Sequence, residues 1–417
     1  MKIRGLALFI VFSLAMGVNS ASANKPPSPG SSCPRVGATV TSGKLKFTCV
    51  KNGKKGRWSK GVAVKTGAGS SATPADSLNF KGSVVYDLKN GYLTRKASSG
   101  KFFESDSRSV SAFSPIRARA YAELNRNPGD TSHPNVEFVY DVRPSFPKSV
   151  LEHSKRELAE AAAMWNDVFD SKVTIHVYLV TEQDREYIKS NSWLQSGVPV
   201  ILNRLDNRNE KPFIAGTAGY FPIDGQWSGN LWLATASYLD LSYVNSDWPE
   251  VAKHEFFHVV QQYAMLRTKR SDIDSRDTSL KIQPLHFVEG SANTVGYLTG
   301  FKNLGWSSDA MDYLIWQRAN SVRSWMDAKS VDDVIRMMAA TETYQPNEAF
   351  EMSYAIGALM YEWVIGTYGR IGFIKLMNQF ATANSFEEAL QKSIGLSKSD
   401  FYAKSAPYVF SVFESTR

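Results

Sequence analysis

His254-Glu255-Phe256-Phe257-His258 sets two imidazoles and a carboxylate at the spacing of a metal site on one helix. Residues four apart on a helix stand about 6 Å from each other along one face, so both histidines can ligate a single zinc ion. Glu255 follows the first histidine directly, and its side chain can reach a water on the metal instead of the metal itself. That is the arrangement of a general base in metal-assisted peptide hydrolysis. The flanks read as helix: Asp247 is the expected N-cap, Pro249 suits the first turn, Glu250 completes a capping box, and no breaker intervenes before Thr268. Val251, His254, Phe257, His258 and Gln261 share one broad face, while Phe256, Val260 and Tyr263 add apolar surface elsewhere. Such a helix is expected to be buried. The competing reading, two packed core histidines beside a solvent-facing glutamate, must then place an acid inside the protein.

Zinc needs a third protein ligand. A histidine ten residues after His254 would serve, but that position is Ala264. Glu289, in Leu285-His286-Phe287-Val288-Glu289-Gly290-Ser291-Ala292-Asn293, is the better candidate, because its flanks read as a second, partly buried helix running through Tyr297. Asn293 follows one turn later, where an amide can orient a zinc-binding imidazole from behind. Gly290 permits close approach of a neighbouring helix. His286, one turn earlier, is the alternative metal ligand.

Through these segments the chain resembles the gluzincin group of zinc metallopeptidases, which includes thermolysin-like enzymes and zinc aminopeptidases, over roughly residues 130 to 405. In that group an acid on a second helix completes the zinc site, often in a Glu-Gly context like Glu289-Gly290. Tyr354-Ala355-Ile356-Gly357 is similar to the tyrosine-bearing helix of the aminopeptidases, which implies that Tyr354 helps hold the oxyanion; a core aromatic is the plainer reading, and Tyr361 is the weaker alternative. The resemblance also implies an edge strand that pairs with extended substrate, for which Gly216-Thr217-Ala218-Gly219 through Ala234 is the candidate wall. Two departures matter. Thirty residues separate His258 from Glu289, with a charge-dense stretch from Arg267 to Lys281, and no segment for anchoring a free substrate amine is evident. The expectation is therefore an endopeptidase.

Lys2 and Arg4 precede an apolar run from Leu6 to Val18 that ends in Ala21-Ser22-Ala23, which reads as a signal peptide over residues 1–23. An exported or cell-surface protein without a membrane span in its mature chain follows. In an oxidising compartment Cys33 and Cys49, the only cysteines, are expected to pair, and closing that loop is worth about 3 kcal/mol on chain-entropy grounds. Residues 24–65 carry ten Lys or Arg and no acid, so the net charge of +8 is local. This basic, cysteine-paired module resembles small modules of secreted actinobacterial proteins, and its charge favours an anionic wall polymer or membrane surface, with a simple solubilising role as the competing reading. Nothing beyond Trp58 suggests stacking on bases, and no nucleic-acid partner is expected.

Residues 66–77 read as a Gly/Ser/Ala/Pro linker, and 78–130 as a pro-segment or a support region. Strands are expected at Val136–Tyr140, Val173–Val180 and Asn230–Thr235, a helix at Val150–Phe169, and helices at Asp309–Asn320, Val331–Ala339, Ala349–Ile365, Ile371–Phe380 and Phe386–Ile394. The fold class is thus α+β. A sheet-containing half, 131–300, would hold zinc through His254, His258 and Glu289, with Glu255 and Tyr354 catalytic, and a helical half, 301–417, would close the cleft on a peptide or protein substrate. A noncatalytic wall-binding or scaffold protein with a peptidase-like fold is the alternative function.

Overall fold

The computed structural model describes most of residues 29–63, then 114–126, 132–190, most of 214–268, 276–300, scattered positions between 307 and 318, and nearly all of 328–416. The expected signal peptide, the linker and residues 78–113 lie outside the described residues. The described residues separate into two compact units, one within 29–63 and the other from 114 onward.

The first unit is a small antiparallel sheet: β1 (Thr39–Ser42), β2 (Leu45–Asn52), β3 (Lys55–Trp58) and β4 (Val62–Ala63). Gly53, at φ 61°, supplies the left-handed residue that the β2–β3 turn needs. The register sets Cys49 opposite Trp58, and Phe47, Cys49 and Trp58 form the buried core. Cys33 joins Cys49 in a disulfide, as expected, with Cα atoms 5.8 Å apart.

The second unit is a mixed α+β fold. Its helix α1 (Pro115–Leu124) starts with Ser114 accepting from the Ile116 amide at 3.2 Å and with proline in the first turn. Four strands follow, β5 (Val136–Val142), β6 (Val173–Thr181), β7 (Ile214–Ile223) and β8 (Gln226–Thr235), in spatial order β5-β6-β8-β7. The first three neighbours run parallel, as a strand-helix-strand unit requires when α2 (Lys148–Trp165) carries the crossover, and β7 folds back antiparallel on β8. On β6, Val173, Ile175, Val177 and Leu179 are buried while the residues between them are only partly covered, the period-2 pattern of a sheet packed on one face.

The long helix packed on that face carries the histidine motif. It follows the short α3 (Arg185–Ser190) and is α4 (Leu241–Leu266). Phe256 of α4 meets Phe138 of β5 at 6.1 Å between rings, and Gly229 of β8 brings the strand so close that a Cβ there would stand 2.8 Å from Val259. Asp247 is not the N-cap: the helix begins six residues earlier, at Leu241, so Asp247 and Pro249 both lie within it. One missing amide donor at Pro249 is a tolerable loss for a helix with this much buried contact.

Beyond it come α5 (Arg276–Ile282), a single π turn (His286–Gly290) and α6 (Ser291–Gly300), then α7 (Val331–Ala340), α8 (Asn347–Gln379), α9 (Phe386–Ile394) and α10 (Lys398–Thr416). Helix α8 is broken at Gly369, whose φ of 72° separates the two segments expected there as different helices. Trp165 of α2, fully buried, touches Phe257 of α4 and Phe373 of α8, which ties the sheet side to the helical side. Helix α1 is anchored by the buried Arg117, which donates to both carboxylate oxygens of Glu362 in α8, at 2.6 and 3.2 Å, and to Asp312 at 2.7 Å.

Candidate metal centre

Helix α4 holds His254 and His258 on one face, and the turn before α6 brings Glu289 opposite them. His254 Nε2 and His258 Nε2 lie 3.1 Å apart, and Glu289 Oε2 is 3.8 Å from the first and 3.9 Å from the second. In tetrahedral zinc geometry, with bonds of about 2.0–2.1 Å, ligand atoms stand roughly 3.3 Å apart. The three donor atoms therefore fit around one small cation, and among the described residues they form the one such cluster of histidine and acid. All three side chains are buried, as is Glu255. A cation here offsets the cost of enclosing two carboxylates.

Burial also prepares the imidazoles. It holds His254 well below its ordinary value of 6.5, with nearby His258 and Arg318 pushing the same way and a hydrogen bond with Asn293 opposing them. Burial lowers His258 to about 4, against the opposing hydrogen bond to Gln261. Both rings are neutral at ordinary pH, which is the form that ligates metal. Behind His258, Gln261 Oε1 lies 2.8 Å from Nδ1. Asn293, besides acting on His254, donates to the Tyr354 carbonyl at 3.0 Å and so links α6 to α8.

The turn carrying Glu289 is fixed by backbone contact. Gly290 presses against Gly357 of α8, where a Cβ would stand 2.2 Å from backbone atoms, and the amides of Leu285 and His286 donate to Glu342 and Thr341 at 3.0 and 2.9 Å. The wider π turn sits where the expected second helix begins, a frequent irregularity at functional sites.

Glu255 faces the sheet. Its side chain lies across Gly216 of β7, where a Cβ would come within 2.2 Å of Glu255 Cγ. On the same strand the Tyr220 amide donates to Gln262 Oε1 of α4 at 2.8 Å. Since Tyr220 N–H points away from β8, the alternation of an antiparallel edge turns the backbone groups of Ala218 and Gly216 outward as well.

Tyr354 is buried with its ring nearly parallel to that of His254, 6.4 Å between centroids, and the Arg318 guanidinium lies over the Tyr354 ring, 4.8 Å from its centroid. His286 stands apart. Its Nδ1 is 3.0 Å from Tyr361 Oη and its Nε2 is 3.1 Å from Tyr402 Oη, so both nitrogens are engaged away from the histidine pair. Glu289, not His286, joins the cluster. Gln261 and Arg318 were not singled out by spacing; Gly216 entered only as part of the candidate substrate wall, and Gln261 only through sharing the helix face of His258.

No protein-family profile, curated protein or solved structure matches this chain. The reading of the site rests on its own residues.

Proposed function

We propose that the protein is an exported zinc-dependent peptidase of gluzincin type, cleaving within peptide chains. The observation that carries this is the buried convergence of His254, His258 and Glu289, with Glu255 alongside and packed against Gly216 of the edge strand. The donor set of two neutral imidazoles and one carboxylate suits zinc. A zinc ion held by His254, His258 and Glu289 would supply Lewis acidity toward the scissile carbonyl and would lower the pKa of water there.

The remaining work falls to the chain. Glu255, one residue beyond a ligand, takes the proton released on attack and returns it to the leaving amine. The Tyr354 hydroxyl assists the developing oxyanion. Substrate lies extended along β7, pairing with the outward backbone of Gly216 and Ala218, so that recognition depends little on side chains. The module of residues 24–65 attaches the enzyme to an anionic wall polymer or membrane surface; Lys51, Lys55, Arg57 and Lys60 are all exposed, which supports that role.

The test compares wild type with Glu255→Gln on a broad peptide library, alongside metal analysis after zinc supplementation. One zinc per chain in both, with cleavage in wild type and a loss of at least about 100-fold in the variant, is expected. Metal-free wild type would overturn the zinc assignment, and zinc without turnover on any peptide or wall peptide would favour a noncatalytic scaffold.

A further inference from the structure

We infer that Gln261 is a positioning residue that selects the metal-binding tautomer of His258 and couples it to the turn carrying Glu289. The inference rests on the zinc reading above and goes beyond it, because it assigns a proton to a particular nitrogen.

Gln261 Nε2 lies 2.8 Å from the Val288 carbonyl, 3.3 Å from the Phe287 carbonyl and 2.8 Å from Ser291 Oγ. Backbone carbonyls only accept, so this end of the amide must be the NH2 group. Ser291 is also committed, because its hydroxyl donates to the Phe287 carbonyl at 2.6 Å and therefore accepts from Gln261. The other end of the amide is then the carbonyl oxygen, 2.8 Å from His258 Nδ1. An acceptor at that distance requires a proton on Nδ1. The Nε2 lone pair is left facing His254 Nε2 at 3.1 Å and Glu289 Oε2 at 3.9 Å, the direction in which a cation would sit.

The same side chain spans two ligand-bearing elements. Phe287 and Val288 precede Glu289 in the π turn, and both of their carbonyls accept from the Gln261 amide. Gln261, rooted in α4, holds those carbonyls while orienting His258. Shifting the turn would break the amide's contacts, and rotating the imidazole would leave the Gln261 oxygen buried without its donor. Both ligands are fixed before metal arrives.

The experiment uses the purified full chain, metal-free and then zinc-loaded, with 15N-labelled histidine. Two-bond 1H–15N correlations distinguish the tautomers, and the six histidines can be assigned by single substitutions. Zinc affinity is read independently by competition with a chromophoric chelator. In wild type, His258 is expected as the Nδ1–H form before zinc is added. In Gln261→Met, which removes acceptor and donor, His258 should become a mixture of tautomers and zinc affinity should fall about 10- to 100-fold. Gln261→Glu keeps the acceptor and should restore the Nδ1–H form without restoring full affinity, since a carboxylate cannot donate to Val288. An Nε2–H form of His258 in metal-free wild type overturns the inference, even if Gln261→Met fails to fold. So does a folded Gln261→Met with unchanged tautomer and affinity. A wild type that shows the Nδ1–H form but binds no zinc leaves the tautomer assignment standing and removes the zinc reading instead.

Discussion

Glu255 occupies space that any side chain at position 216 would need. A methyl group on Gly216 would meet Glu255 Cγ at 2.2 Å and its carboxyl carbon at 2.6 Å, well inside van der Waals contact. Gly216→Ala is therefore expected to displace the carboxylate while leaving the three side chains of the candidate metal cluster alone. A shift of about 1 Å in a proton-transferring group can cost on the order of 100-fold in rate, so kcat/KM for peptide cleavage should fall by about that factor with zinc content unchanged. Steady-state kinetics with metal analysis on the same sample check this. The histidine pair and Glu255 were legible because helical spacing is a local property. The partner of Glu255 was not, since contact between β7 and α4 depends on tertiary packing between distant segments. His286 and Glu289 were both chemically suitable and one turn apart; the π turn and two tyrosines, far along the chain, separate their roles.

His286 shows how an element far from the donor cluster helps hold it. The hydroxyl of Tyr402 donates to Glu342 Oε1 at 2.8 Å, so it accepts from His286 Nε2–H, and His286 Nδ1 accepts from Tyr361. The π turn is thereby fastened to α8 through Tyr361 and to α10 through Tyr402. Burial, and after it the charge of Lys398, lowers the His286 pKa to about 3 from the ordinary 6.5. The sign follows: the unfolded chain takes up this proton near 6.5 while the folded chain resists it, so the stability is present above 6.5 and is lost as pH falls toward 3. Each such proton contributes a slope of about 1.4 kcal/mol per pH unit. Urea unfolding of the metal-free protein across that window should show a shallower dependence for His286→Phe than for wild type, by about one proton, despite the lower overall stability of the variant. Equal slopes would mean that His286 titrates normally in the fold. At this scale the parallel strands and the helices around Val331, Ala349 and Phe386 could be read from periodicity. Helix α10 could not, because Pro407 lies within it and proline is a weak guide to a helix that tertiary contacts maintain. The early start of α4 was hidden by Pro249 for the same reason.

Over the whole molecule, charge and chemistry are divided between the two units. The first has its own core, Phe47, Cys49 and Trp58, closed by the disulfide, and Gly56 packs so tightly that a Cβ would stand 2.9 Å from Cys49 Sγ. The second contains every residue of the proposed zinc site, and it also contains α1, since the buried Arg117 is held by Glu362 and Asp312. Residues 115–124 are thus packed as part of the main fold. The ten basic residues within 24–65, by contrast, meet no acid in that stretch. Attraction of such a cluster to an anionic polymer acts over a Debye length of about 10 Å at 0.1 M salt and is screened as salt rises. Deleting residues 24–65 should therefore abolish low-salt co-sedimentation with phosphatidylglycerol vesicles or a teichoic-type polyphosphate, while zinc content and the thermal midpoint of the main unit stay as in wild type. Added salt should release the intact chain from the same surfaces. Undiminished attachment after the deletion would remove the targeting role, and loss of zinc would show that the module supports the fold that carries the site.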